Sequence, residues 1–208
     1  MIQRIVEPEI LDSLSPDDPE ARRSRADLRF INKMMGGESW IIRELKKLDG
    51  IQCVVELGAG EGFLASSIKA TFPEVRVVAV DLVGAPEREE DGVEWVAADV
   101  LSEDYSVDSS TVVIANLFLH HLDEAALAFL GERVNGAKAL LFAEPYRSRS
   151  AIFWARLIYP FVGRVTRYDM LVSIRAGFCE GEIQQLLSAD FEWSETIGIF
   201  GGIRSKAR

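Results

Sequence analysis

A chain of 208 residues carries one domain with a real core and is too short for two sizeable ones. With 48% apolar and 27% charged residues it is not a disordered polymer, and a net charge of −10 repels phosphate backbones, so no nucleic-acid partner is expected. Cys53 and Cys179 stand far apart with no CxxC pair. They offer neither a zinc site nor a disulfide framework, so no metal is expected, and free thiols fit a reducing cytoplasm.

The opening MIQRIVEPEILD lacks a signal-peptide core, and the apolar stretch 151–163 is interrupted by Arg156 and Pro160 and is too short to span a bilayer. A soluble cytoplasmic protein with no membrane partner is the expectation. Residues 1–26, with Pro8, Pro16 and Pro19, read as a helix fragment followed by a loosely ordered connector. Residues 27–35 and 38–48 read as helices separated by Gly36-Gly37, with Trp40, Ile41, Leu45 and Leu48 at helical spacing.

From Gln52 the rhythm becomes strand, turn, helix, strand. Strands are predicted at 53–55, 75–80, 93–97, 111–115 and 137–143. A helix over 63–72 is stopped by Pro73, and another runs from an Asp123 cap to residue 134. After a short helix at 183–187, residues 191–198 and 199–205 read as an antiparallel pair. Alternating strands and helices imply an α/β fold, a Rossmann-like doubly wound parallel sheet closed at one edge by a C-terminal hairpin, with N-terminal helices.

The segment Val55-Glu56-Leu57-Gly58-Ala59-Gly60-Glu61-Gly62 sits at the first strand–helix junction, where open α/β sheets bind ligands. A dinucleotide would want its third glycine three residues after the second, which is Phe63, and Glu61 would set a carboxylate against the pyrophosphate. A phosphate-free ligand fits this turn better. Asp81 closes the run VVAV at the interval where an acid accepts ribose hydroxyls, and Asp99 follows the third strand at the same edge.

Together, ELGAGEG, VVAVDL, AAD and ANLFLHHL resemble the class I S-adenosylmethionine (SAM) dependent methyltransferases over most of residues 50–208. The resemblance implies SAM as cofactor and a seven-stranded sheet in the order 3-2-1-4-5-7-6. It implies Glu56 and the turn of Gly58, Ala59, Gly60 and Gly62 around the methionine part of SAM. It further implies Asp81 with Leu82 on the ribose, Asp99 with Val100 at the adenine, and Asn116 and Leu117 lining the pocket.

The two histidines, His120 and His121, follow the fourth strand at the same edge. His120 is the candidate general base, against a packing role, and His121 is a candidate acceptor contact. Residues 146–177 carry Arg147, Arg149, Arg156, Arg164, Arg167 and Arg175 against one acid, Asp169, interleaved with Tyr146, Phe153, Trp154 and Tyr168. That stretch reads either as a grip for an anionic aromatic molecule, with Tyr146, Arg147, Arg167 and Arg175 on the substrate, or as an amphipathic helix packed on the core. Its VTRYD and SIR segments resemble small-molecule O-methyltransferases that act on phenolic or polyketide-like hydroxyls and often carry His where this chain has Tyr168, a second catalytic candidate.

Residues 1–49, with Trp40 facing the acceptor, and the insertion 146–177 would then cover a SAM-binding domain spanning 50–208. The expected activity is methyl transfer to a small aromatic hydroxylated metabolite by a monomer or homodimer. The rivals are a SAM-binding protein without transfer, a methyltransferase acting on RNA or protein, and, against the glycine spacing, a nicotinamide dehydrogenase.

Overall fold

Seven strands form the sheet: β1 (Cys53–Leu57), β2 (Arg76–Asp81), β3 (Glu94–Ala97), β4 (Thr111–Asn116), β5 (Ala139–Pro145), β6 (Trp193–Ile197) and β7 (Gly202–Ala207). They lie in the order β3-β2-β1-β4-β5-β7-β6. The first five are mutually parallel, and β7 runs antiparallel to both β5 and β6. The computed structural model describes residues 3–85, 92–102 and 104–208. Residues 1 and 2 of the segment expected to hold a helix fragment lie outside them.

Every residue of β1 and β5 is buried, which is why their sequences show no alternation. Successive side chains still point to opposite faces. Val55, Val113, Leu140 and Phe142 enter one core cluster with Leu127, Leu130 and Phe178, while Val54, Val112, Ile114 and Leu141 enter the other with Trp40, Ile41, Leu45, Leu64 and Ile68.

The helices are α1 (Ile10–Ser13), α2 (Pro19–Met35), α3 (Gly37–Leu45), α4 (Phe63–Thr71), α5 (Glu124–Val134), α6 (Arg149–Leu157), α7 (Arg164–Ala176) and α8 (Glu182–Leu187). Asp123 caps α5 by accepting from Ala126 N at 2.8 Å. Helices α2, α6 and α7 share a third apolar cluster of Ile31, Ala151, Ala155, Val162, Met170 and Ile174. Asp27 Oδ2 ties α2 to α7 by accepting from Gly163 N at 2.7 Å and Thr166 Oγ1 at 2.9 Å.

Three expectations change. Residues 19–26 are not a loose connector, because Pro19 is the first residue of α2 and Asp18 accepts from Glu20 N at 2.7 Å. A proline there gives up an N–H that has no helical partner anyway. The helix of residues 37–45 packs on the sheet rather than joining a cover, since Trp40, Ile41 and Leu45 belong to a sheet-face core. The terminal strands are joined by residues 198–201 rather than directly, with Gly198 N donating to Gly202 O at 2.7 Å.

Candidate functional site

Beyond the end of β1 the chain turns sharply, and Gly58, Gly60 and Gly62 all take positive φ, at 66°, 53° and 72°. Two of them also face close neighbours. A Cβ on Gly58 would stand 2.0 Å from the Phe118 ring, and one on Gly62 2.5 Å from Trp95. Asp81 fastens the turn, its Oδ2 accepting from Gly60 N at 2.8 Å and its Oδ1 from Val83 N at 2.9 Å.

The turn opens into a cavity of about 550 Å³ bounded by the carboxyl ends of β1, β4 and β5 and by α2, α6 and α7. That is ordinary for a small-molecule site. Of the residues singled out in the sequence, Glu56, Gly58, Ala59, Gly60, Gly62, Asn116, Leu117, His120 and His121 line it. Asp81, Leu82, Asp99 and Val100 do not. They stand alongside at the ends of β2 and β3, with Leu82 exposed, Val100 in the core and Asp99 Oδ1 accepting from Leu101 N at 2.9 Å.

Among the described residues, three buried acceptor oxygens lining the cavity have no partner: Asn32 Oδ1, Glu56 Oε2 and Asn116 Oδ1. Unmatched buried acceptors are costly, and together they call for a ligand rich in N–H donors. Burial, and then the charge of Glu38, push the Glu56 carboxyl up to about 8. A cationic donor would reverse that. Next to Asn116, Leu117 holds φ at +56°, a conformation a leucine rarely takes. Gly37 approaches Asn116 so closely that a Cβ there would lie 2.4 Å from Asn116 Oδ1.

At the other end, His120 is buried between two carboxylates. Its Nδ1 lies 2.8 Å from Glu144 Oε2, and its Nε2 lies 3.6 Å from Glu9 Oε1. Glu144 Oε1 also accepts from Phe118 N at 2.9 Å and Leu119 N at 2.8 Å, which fixes the turn that carries both histidines. Glu9 accepts from Ser173 Oγ. Burial alone would lower the imidazole, but Glu144 and Glu9 outweigh it and hold His120 up at about 9. Two carboxylates that favour the protonated ring work against the candidate base role. The His121 ring lies 4.3 Å from that of His120, and burial followed by the charge of His120 pulls its pKa down.

The seven-stranded fold recurs in solved structures. The plantazolicin methyltransferase BamL, in complex with a triazolic analog and SAH, superposes with a TM-score of 0.71 at 8% identity, over 95% of this chain and 92% of that one. Its counterpart BpumL gives 0.64 at 12% identity over 91% of each chain. The pyocyanin biosynthetic protein PhzM gives 0.65 at 21% identity, over 96% of this chain and 61% of that one. The fold is that of the class I methyltransferases. No protein-family model matches the chain. Uncharacterized methyltransferases of Mycobacterium tuberculosis and Mycobacterium bovis are 32% identical across 39% of it. The match spans 45% of those relatives' length.

Within this methyltransferase fold, several residues expected at the acceptor lie elsewhere. Trp40 is core. Arg147 is buried but committed to Gly177 O and Glu182 Oε1, and Tyr146 pairs through its backbone with Phe178. Arg167, Tyr168 and Arg175 lie on the exposed side of α7, whose cavity side presents Met170, Ser173 and Ile174. The amphipathic-helix alternative therefore describes α7, and neither Tyr168 nor the arginines named here line the cavity. Glu9, Asn32 and Glu144 were missed. Glu144 is the next-to-last residue of β5, at the ligand-binding edge, and that position is the signal that could have found it. Among the described residues, no helix is long and apolar enough to cross a membrane.

Proposed function

We propose that the chain binds SAM with its methionine part against the β1 turn and transfers the methyl group to a small aromatic hydroxylated molecule lodged under α2, α6 and α7. The observation carrying this reading is the trio of unmatched oxygens on Asn32, Glu56 and Asn116, in the same cavity as the glycine turn. SAM brings an ammonium, whose N–H groups suit those acceptors and whose charge suits Glu56. SAM also lacks the phosphate that Glu61 would oppose.

The acceptor half supports an apolar guest. Leu28, Ile31, Met34, Met35, Trp154, Ile158, Met170 and Phe200 line the cavity. SAH accompanies BamL and BpumL in their crystals, and PhzM is named a pyocyanin biosynthetic protein, in keeping with this chemistry. Sulfonium is a good leaving group, so alignment of donor and acceptor in a closed cavity supplies most of what the transfer requires. Residues 3–35 and 146–177 act as the cover in this reading.

Calorimetric titration of S-adenosylhomocysteine into wild type and Asn116→Ala tests the donor site, with NAD as a control. Micromolar binding that weakens tenfold or more in the variant supports it. Binding of NAD without S-adenosylhomocysteine overturns it. Methyl incorporation into a panel of phenols then separates a transferase from a protein that binds SAM without transfer.

A further inference from the structure

The group of Glu9, His120 and His121 is not used by methyl-donor binding, yet it faces the same cavity. Their ligand atoms all lie within 4.8 Å of one another. The separation of His120 Nε2 and Glu9 Oε1, 3.6 Å, is too long for an N–H···O hydrogen bond. It is close to the spacing of two ligands on one ion: atoms about 2.1 Å from a tetrahedral centre stand about 3.4 Å apart. The outer geometry also has the form of a metal centre. His120 Nδ1 engages Glu144 Oε2 at 2.8 Å, the carboxylate–histidine arrangement that fixes a ring so that Nε2 points at an ion. Glu144 is itself held by Phe118 N and Leu119 N, so the ring is oriented before anything binds.

From this geometry we infer that Glu9, His120 and His121 form a site for a divalent transition-metal ion of the zinc type, with Glu144 as the positioning residue behind His120. Two imidazoles and one carboxylate on one side leave the remaining positions open toward the cavity. Asp12 lines the cavity beside them and adds to the negative potential there. An ion at this place would bind an oxygen or nitrogen of the molecule occupying the acceptor half. That use rests on the transfer reading, whereas the ion site rests on its own geometry.

The test is calorimetric titration of the chelator-treated full chain with Zn²⁺ alone, in a Cys179→Ser background so that the half-buried thiol does not compete. One ion per chain at micromolar Kd or tighter is expected, weakened tenfold or more in both Glu9→Gln and His121→Gln. Thermal unfolding of the same samples should show Zn²⁺ raising the midpoint of the parent and leaving both variants unmoved. His121→Gln decides the matter if Glu9→Gln does not fold. Absence of stoichiometric binding, or binding unaltered in the variants, overturns the site and leaves the trio as an imidazolium between two carboxylates. An S-adenosylhomocysteine titration alongside separates the two readings: it survives failure of the ion site and fails only with the donor site.

Discussion

Glu56 is a buried carboxyl with one oxygen that lacks a partner among the described residues, and replacing it with glutamine should stabilise the ligand-free protein at alkaline pH while weakening donor binding. The folded value, about 8, lies above the ordinary 4.5. Between those two values the folded protein keeps a proton that the unfolded chain has released. The stabilisation is therefore fully present below about 4.5 and is lost as pH rises through about 8. At about 1.36 kcal/mol per unit, the interval amounts to about 5 kcal/mol at most. Urea unfolding of wild type and Glu56→Gln at pH 5 and pH 8.5, without ligand, reads it directly. Wild type should lose about 2–5 kcal/mol more than the variant between the two conditions. In S-adenosylhomocysteine titrations the variant should bind tenfold more weakly or worse, about 1.4 kcal/mol. Equal losses in the two proteins would refute the assignment of a protonated, ligand-seeking Glu56.

Gly58→Ala should cost about 1–3 kcal/mol and abolish detectable S-adenosylhomocysteine binding, because a methyl group there meets the Phe118 ring at 2.0 Å on a backbone with positive φ; chemical denaturation and calorimetry check both parts. Glu144→Gln should cost about 3–5 kcal/mol by removing one partner of a buried ionic pair, and a melting temperature within 2 °C of wild type would contradict it. Asp169→Ala should release the N-terminal segment, since both its oxygens accept backbone N–H groups, from Ile10 at 2.8 Å and Leu11 at 3.1 Å; faster proteolysis near residues 3–14 is the readout. Arg167→Ala and Tyr168→Phe, both on the exposed side of α7, should leave stability within about 0.5 kcal/mol and donor affinity unchanged.

The sheet was legible because β1, β2, β4 and β5 are short apolar runs between glycine, proline and acidic residues, and a strand buried on both faces looks like that in any context. The end of the cavity beside β1 was legible for a related reason. Turns at the ends of β1 and β4, neighbours in the sheet, bring Glu56, Gly58 and Asn116 to one cavity, so nearness in topology stands in for nearness in space. The acceptor side has no such shortcut. Glu9 reaches His120 only through the docking of a segment near the start of the chain onto α7, and no local pattern announces that pairing. The arginines of residues 146–177 misled for a different reason. Composition counts charges without regard to phase, and on α7 the helical period turns Arg167 and Arg175 outward while Thr166, Met170, Ser173 and Ile174 turn inward.

The anchoring of Glu9 by Ser173, next to Asp169 holding Ile10 and Leu11, sets an order of events during synthesis. The glycine turn and β1 leave the ribosome early, but the wall that closes the acceptor half must wait for α7. At about 5–20 residues per second, the segment carrying Glu9 spends roughly 8–30 s without its anchor. Until α6 and then α7 follow, the apolar face of α2 has nothing from them to cover it, which makes this interval the one in which a holdase chaperone would find the nascent chain most accessible.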